Sequence, residues 1–200
     1  MNRAQLEADV CQSQTIEHIQ YNARSELSQA HYEATQIVWD EVSAGRWPDV
    51  RALHSVLMKP SDLDLPCKGA WRTWGVYVGN KNKPKTWRHM PNASHVANLM
   101  DEWEGWCEYL LHKKQSGILD EEHIETYSDV TYYWYLCVHP FADGNGRTGR
   151  LMRNAMRVLL GLPWMTITTD LHPLYVRKII EYEDKNFRPG REYVYPESTA

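Results

Sequence analysis

The chain of 200 residues lacks an uninterrupted apolar run of about eighteen residues, so the sequence predicts no transmembrane helix. Its four cysteines form no Cys-x-x-Cys pair, which argues against zinc and favours reduced thiols. The first residues lack the apolar core of a signal peptide, and we expect a cytoplasmic protein. Positive charge is not in excess, because 22 Lys and Arg face 26 Asp and Glu, so the composition predicts no nucleic-acid partner. Repeats and low-complexity tracts are also missing, and one globular domain is expected.

Apolar residues at helical spacing predict a mainly α-helical bundle. One long helix is expected from Thr15 to about Ser43, because apolar residues recur every seven positions, and Gly45 and Pro48 end it. Further helices are expected over 53–58, 91–113, 119–138 and 175–186. Another is expected after the glycine turn at 144–146, with Leu151, Ala155 and Leu159 buried and Gly161 to Pro163 closing it. Aromatic and β-branched residues over 73–78 and 85–87 predict one β-hairpin with its turn at residues 79 and 80.

The most informative segment is HPFADGNGRTGR, which occupies residues 139–150. Gly144 and Gly146 allow the backbone to approach an anion closely, where a helix begins and its dipole favours negative charge. Arg147 and Arg150 are three residues apart and are expected to share the face of that helix. His139 is the side chain able to accept a proton near neutral pH. The segment therefore predicts a site that binds phosphate.

The residues of this region also allow a metal site or a cysteine nucleophile, and both are disfavoured. His139 and Asp143 could be a metal pair of a phosphohydrolase, but no second His-Asp group with ligand spacing follows, and two arginines would repel the metal. Cys137 could be a nucleophile, but its apolar surroundings favour packing.

The same segment resembles the motif of the Fic (filamentation induced by cAMP) family, His-x-Phe-x-Asp/Glu-Gly-Asn-Gly-Arg-x-x-Arg, at every specified position. The resemblance extends from about residue 10 to about residue 187. It includes Leu53-His54, the run Gly69-Ala70-Trp71-Arg72 and the run Leu151-Met152-Arg153-Asn154.

The resemblance implies a protein adenylyltransferase, which moves AMP from ATP to a Ser, Thr or Tyr hydroxyl of a target protein. His139 would be the catalytic base, and Asp143 would hold Mg²⁺ as cofactor. Nucleotide binding is implied for Phe141, Gly144, Asn145, Gly146, Arg147 and Arg150. A homo-oligomer is compatible with the sequence, and a membrane partner is not expected.

The resemblance also implies two accessory segments. A target-docking flap is expected from Trp74 through Gly75, Val76, Tyr77 and Val78 to Gly79. The basic residues that follow it are Lys81, Lys83, Lys85 and Arg88; they could attract an acidic target, and a solvated loop explains them equally well. Ser13 and Glu17 match the inhibitory pattern Ser/Thr-x-x-x-Glu-Gly/Asn, whose glutamate pairs with the second arginine of the motif. His18 stands where the pattern has Gly or Asn. We expect residues 1–45 to form the inhibitory N-terminal helix, 46–190 the Fic core and 191–200 a loosely held tail.

Two alternative functions remain at the level of sequence. The chain could transfer another phosphate-containing group or remove AMP with the same residues, because the last helix has Lys178 and Ile179 where a paired tyrosine is expected for adenine. It could also be a catalytically silent binding module, although such a module needs neither His139 nor Asp143.

Overall fold

The computed structural model describes residues 2–63, 67–79 and 88–187. These residues form seven α-helices and a two-stranded antiparallel sheet, which confirms the mainly α fold with a small hairpin. The helices are α1 (Arg3–Ile16), α2 (Glu26–Ser43), α3 (Val50–Leu57), α4 (Val96–Gln115), α5 (Ile124–Val138), α6 (Asn145–Leu159) and α7 (His172–Asn186). The strands are β1 (Tyr77–Val78) and β2 (Arg88–His89), and 3₁₀ turns at Ala93–His95 and Glu121–His123 precede α4 and α5.

Helices α5 and α6 form the centre of the bundle. The core includes Trp103 of α4, Tyr135 of α5 and Met152 of α6, each fully buried. The indole N–H of Trp103 donates to the carbonyl oxygen of Thr131 at 2.8 Å, so this large side chain is buried without an unpaired polar atom. The aromatic run over 132–135, which also has strand propensity, is helical because it lies between α4, α6 and α7.

The prediction of one helix from Thr15 to Ser43 is wrong. Helix α1 ends at Ile16, and α2 begins at Glu26 after an irregular segment. His18 adopts a left-handed conformation with φ of 58°, which no α-helix continues. Ser25 then caps α2 by accepting a hydrogen bond from the N–H of Ser28 at 3.2 Å. The seven-residue apolar repeat continues across this break, which is why periodicity alone predicted one helix.

The hairpin is shorter than predicted. Only Tyr77 and Val78 of the first predicted strand pair, with His89 and Arg88 respectively, and the amide of Met90 adds a hydrogen bond to Val76 O at 3.1 Å. The predicted return strand over 85–87, the turn residue 80 and the lysines at 81, 83 and 85 lie outside the described residues.

Within residues 2–63, 67–79 and 88–187, every helix is too short or too polar to cross a lipid bilayer. The structure thus gives no membrane-spanning helix in the part of the chain that it describes.

Candidate active site

His139 is placed by the end of α5. Its backbone is left-handed, with φ of 51° and ψ of 61°, and its N–H closes the helix on Tyr135 O at 3.0 Å. A non-glycine residue in this region is strained and occurs mainly where the surrounding structure holds it. The turn points the chain from α5 into the loop before α6, so that the histidine faces the start of the next helix.

The ring of His139 is prepared to accept a proton. Its Nδ1 lies 3.4 Å from Leu136 O, a carbonyl that can only accept, so Nδ1 carries the hydrogen and Nε2 keeps a lone pair. Burial lowers the pKa of His139 to about 4, and the positive charge of Arg72 acts in the same direction. The imidazole is therefore neutral at physiological pH.

The start of α6 forms a backbone anion site. Gly144 precedes the helix in a left-handed conformation with φ of 75°, and a β-carbon there would lie 2.6 Å from the sulfur of Met58. Any other residue here would have to adopt the left-handed region and displace the Met58 side chain. The amides of Asn145, Gly146 and Arg147 are the first three of α6 and have no acceptor within the helix, as at any helix N-terminus.

Two residues predicted to bind nucleotide use their side chains to build this loop. The side chain of Asn145 is buried and makes two hydrogen bonds to the backbone of Phe141, accepting from its N–H and donating to its carbonyl oxygen, each at 2.9 Å. Phe141 is fully buried and packs on Trp71. Their side chains therefore shape the turn, and Asn145 can offer an anion only its main-chain amide.

His54 of α3 supports the loop that contains Asp143, a role that the resemblance does not imply. Its Nδ1 accepts the N–H of Gly69 at 2.9 Å, so Nε2 carries the hydrogen and donates to Asp143 O at 2.9 Å. Its ring stacks on Phe141 with centroids 3.6 Å apart. No sequence signal pairs positions 89 residues apart, and only the fold brings α3 under this loop.

Asp143 presents its carboxylate to solvent, with 66% of its side chain exposed. The nearest cation is Arg147, whose Nη2 lies 3.6 Å from Oδ2 of Asp143. Among the described residues, no group of three or more His, Cys, Asp or Glu side chains could hold a metal ion. A single accessible carboxylate beside a phosphate site fits Mg²⁺, which keeps several waters and takes its other ligands from the substrate.

The two arginines of the motif have different partners. Arg147 donates to the sulfur of Met58, the residue after α3, at 3.4 Å and lines a cavity of about 430 Å³ together with Asp143 and Asp62. Arg150 binds the end of α1. Spacing on α6 predicts a shared face for the two side chains, and the structure adds the neighbour that holds each guanidinium group.

Arg150 is tied to the end of α1 by three hydrogen bonds. Its Nε donates to Ser13 Oγ at 3.0 Å, and its Nη2 donates to Ser13 O at 3.0 Å and to Glu17 Oε1 at 2.8 Å. Arg150 is buried, whereas about a third of the Glu17 side chain is exposed. Glu17 lies one residue beyond the helix, as its C-cap, and not in the middle of a long helix as predicted.

A cavity of about 420 Å³ joins these groups. Its polar end contains Glu17, His139, Gly146 and Arg150, and its far wall is apolar, formed by Met90, Leu136, Cys137, Val176, Ile179 and Ile180. Cys137 is buried in this wall, in keeping with its predicted packing role.

The flap closes one side of this cavity, because Val78 and Gly79 line it. Trp74, Tyr77 and Val78 are exposed apolar side chains, with exposures of 48%, 57% and 38%. Arg88 of β2, predicted to attract an acidic target, instead forms ion pairs with Glu183 and Asp184 of α7. The hairpin is thereby fastened to the last helix.

The fold and this site define a helical domain that sets a histidine at the end of one helix against an anion-binding turn at the start of the next. The chain belongs to the Fic/DOC family, whose model matches residues 46–156.

Similar proteins agree with this membership. The chain is 31% identical over 147 residues to a protein adenylyltransferase Fic of Drosophila grimshawi, covering 73% of this chain and 27% of that protein. It is 30% identical over 127 residues to a protein of the same name from Culex quinquefasciatus, covering 63% of this chain and 22% of that protein. The chain thus spans about a quarter of the length of these relatives.

Solved structures show the same fold. A Fic-domain-containing signalling protein from Bacteroides thetaiotaomicron aligns with a TM-score of 0.71 at 17% identity, covering 90% of this chain and 72% of that one. A Fic family protein from Desulfovibrio desulfuricans aligns with a TM-score of 0.64 at 21% identity, covering 91% of this chain and 58% of that one.

Proposed function

We propose that the chain is the catalytic domain of a protein adenylyltransferase, which moves AMP from ATP to a Ser, Thr or Tyr hydroxyl of a target protein. The observation that carries this proposal is the cavity in which a neutral His139 faces Arg150 and the N-terminus of α6. The names of the relatives support it, since several are protein adenylyltransferases.

The reaction follows from the positions of these groups. The target's hydroxyl oxygen forms a bond to the α-phosphorus while the bond to the bridging oxygen of pyrophosphate breaks, and pyrophosphate leaves with that electron pair. Nε2 of His139 takes the hydroxyl proton. The amides at the start of α6 and the guanidinium groups would hold the phosphate oxygens, so most of the catalysis is positioning and charge.

Asp143 is the residue that would hold Mg²⁺. When bound, the ion would neutralise phosphate charge as the leaving group departs. His54 fixes the main chain of Asp143, and the carboxylate is exposed to solvent, where it would reach the ion.

We propose that Glu17 inhibits the enzyme. Its carboxylate occupies Nη2 of Arg150, a donor that a nucleotide phosphate would otherwise use. Ser13 binds the same guanidinium with its hydroxyl and carbonyl oxygens, so the end of α1 orients Arg150 as well as blocking it.

The donor nucleotide is the open part of the proposal. The residues of α7 that line the cavity are the aliphatic Val176, Ile179 and Ile180 and the polar His172 and Glu183. None of these five is the tyrosine that the resemblance leads us to expect for adenine, which keeps transfer of another nucleotide group as the second candidate.

The test is to incubate Glu17→Gly with each α-labelled nucleoside triphosphate and Mg²⁺, followed by mass spectrometry of the labelled protein. AMP on a hydroxyl side chain is the expected product, with His139→Ala in the same background as the inactive control. Label from another nucleotide alone would establish the second candidate. Absence of covalent label from every nucleotide would contradict both.

A further inference from the structure

Arg72 is a buried arginine whose guanidinium hydrogen bonds, within the described residues, all go to backbone carbonyl oxygens. Its guanidinium donates to His139 O at 2.8 Å, Trp74 O at 2.9 Å, Pro91 O at 2.6 Å and Val138 O at 3.3 Å. Its own amide donates to Pro140 O at 2.9 Å. The side chain is 2% exposed, and no carboxylate forms an ion pair with it in the described residues.

These carbonyls belong to three separate parts of the site. His139 and Val138 end α5 and carry the candidate base. Trp74 begins the flap, and Pro91 follows its second strand. One planar group with five N–H donors can join all three with fixed geometry, which the single ammonium of lysine cannot do.

The hydrogen bonds of Arg72 stabilise the strained backbone conformation of His139. A left-handed conformation strains a non-glycine residue and persists only where the surrounding structure holds it. Arg72 binds the carbonyl of this very residue and those on both sides of it, at Val138 and Pro140.

We propose that Arg72 is a positioning residue that holds the base His139 and the target-docking flap in register with each other. The proposal rests on the proposed function of His139 as base. Arg72 does not line the nucleotide cavity, so it acts on the approach of the hydroxyl and not on ATP binding.

The effect of the Arg72 charge on the pKa of His139 provides a second measurement, independent of the labelling rate. The charge of Arg72 lowers the pKa of His139, whereas Glu17 and Asp143 raise it. Burial lowers the pKa of Arg72 itself to about 10, so it stays charged at neutral pH. Other charged or titratable groups that line the same cavity are Arg88, Arg150, His172 and Glu183.

The experiment compares Arg72→Met and Arg72→Lys in the Glu17→Gly background. Both should slow self-labelling from α-labelled ATP by about 10²-fold, the effect of misplacing a reacting group by roughly 1 Å. The Kd for ATP should stay within twofold. NMR follows the titration of the histidine ring signals, and His139→Ala assigns the signal of His139. The pKa of His139 should rise in Arg72→Met. It should not rise in Arg72→Lys, because lysine keeps the positive charge.

Arg157→Met is the matched control, because Arg157 is equally buried and donates to a backbone carbonyl, Pro163 O at 3.0 Å, at the far end of α6. It should lower the melting temperature without changing the labelling rate or the titration of His139. Labelling by both Arg72 variants within threefold of the parent would overturn the proposal. So would an unmoved His139 titration in Arg72→Met, or equal losses in Arg157→Met.

The experiment still gives an answer if Arg72→Met does not fold or if the Glu17→Gly parent is inactive. If Arg72→Met fails to fold by circular dichroism, the labelling rate of Arg72→Lys decides. If the Glu17→Gly parent shows no transfer, the proposed function fails, and the His139 titration still tests the contact between Arg72 and the histidine.

Discussion

Glu17 packs directly against the α-carbon of Gly146, so closely that a β-carbon at Gly146 would clash with Oε1 of Glu17. The carboxylate therefore lies at the first turn of α6, where the unpaired amides would bind an anion. A phosphate in this place and Glu17 in its present position exclude each other.

Glu17→Gly should label itself from α-labelled ATP at least about tenfold faster than the wild type, because Arg150 loses its carboxylate partner and can bind phosphate. A hydrogen bond to a charged group contributes about 1.5–3 kcal/mol, enough for a change of that size. Arg150→Ala is the control and should be slow with or without Glu17. Equal rates for wild type and Glu17→Gly would mean that the end of α1 is structural only.

His18→Gly should make the wild-type enzyme slower. His18 follows Glu17 in the left-handed region with φ of 58°, which glycine adopts at no steric cost, so the closed end of α1 becomes more stable. With a strain of about 1 kcal/mol, basal labelling should fall about fivefold. His18→Val, which adds strain, should raise labelling. A change in the same direction for both variants would contradict this account.

His139→Ala should abolish transfer while leaving the Kd for ATP nearly unchanged, since a general base contributes about 10²–10⁴ in rate and little to ground-state binding. In Glu17→Gly with His139 intact, kcat/KM should persist at pH 5.5. The neutral base is lost only as the pH falls through the folded pKa of about 4. An acid limb centred near pH 6.5 would show that the free enzyme does not bury this imidazole.

Asp143→Ala should weaken Mg²⁺-dependent ATP binding and slow transfer, because this exposed carboxylate is the candidate anchor for the metal. Isothermal titration with ATP, with and without Mg²⁺, measures the effect. Asp62→Ala is the matched control, because Asp62 lines the cavity that also contains Asp143 and Arg147 but is not in the motif. An undiminished magnesium effect in Asp143→Ala would place the metal elsewhere.

The free energy of unfolding should fall as the pH drops from 6.5 towards 4. Burial lowers the pKa of His31 to about 3 and that of His54 to about 4, so the folded state favours their neutral forms. This stability is complete above the unfolded pKa of about 6.5. It is lost below that pH by up to about 1.4 kcal/mol per pH unit for each histidine.

His31→Leu should reduce the slope of the free energy of unfolding against pH by the contribution of about one proton. Urea unfolding at several pH values measures this slope. Neither ring nitrogen of His31 has a hydrogen-bond partner among the described residues, so leucine removes a buried polar group that costs stability. Thr35→Val, one turn along α2 and also buried, changes packing without removing a titrating group. A pH slope in His31→Leu equal to that of the wild type would rule out a buried neutral His31.

Local pattern in the sequence was enough for most helices and for the central motif. Helices α3 to α7 follow from apolar spacing, and the turn at Gly144 follows from a glycine, the residue that favours the left-handed conformation found there. These features depend on residues within one or two turns of each other, which is the range over which periodicity and turn chemistry act. The pairing of Glu17 with Arg150 was reached only through the resemblance to the Fic family.

Features that depend on distant residues were decided by the tertiary structure. Arg150 binds the end of α1, Arg147 binds Met58 after α3, and Arg88 forms an ion pair with α7. Phe141 and Asn145 became buried supports of the loop because α3 packs beneath it. The sequence by itself determined which groups are present and how the nearest ones are spaced. Only packing decided which buried donors meet which acceptors, because an unpaired buried polar group is costly and its partner lies wherever the fold places one.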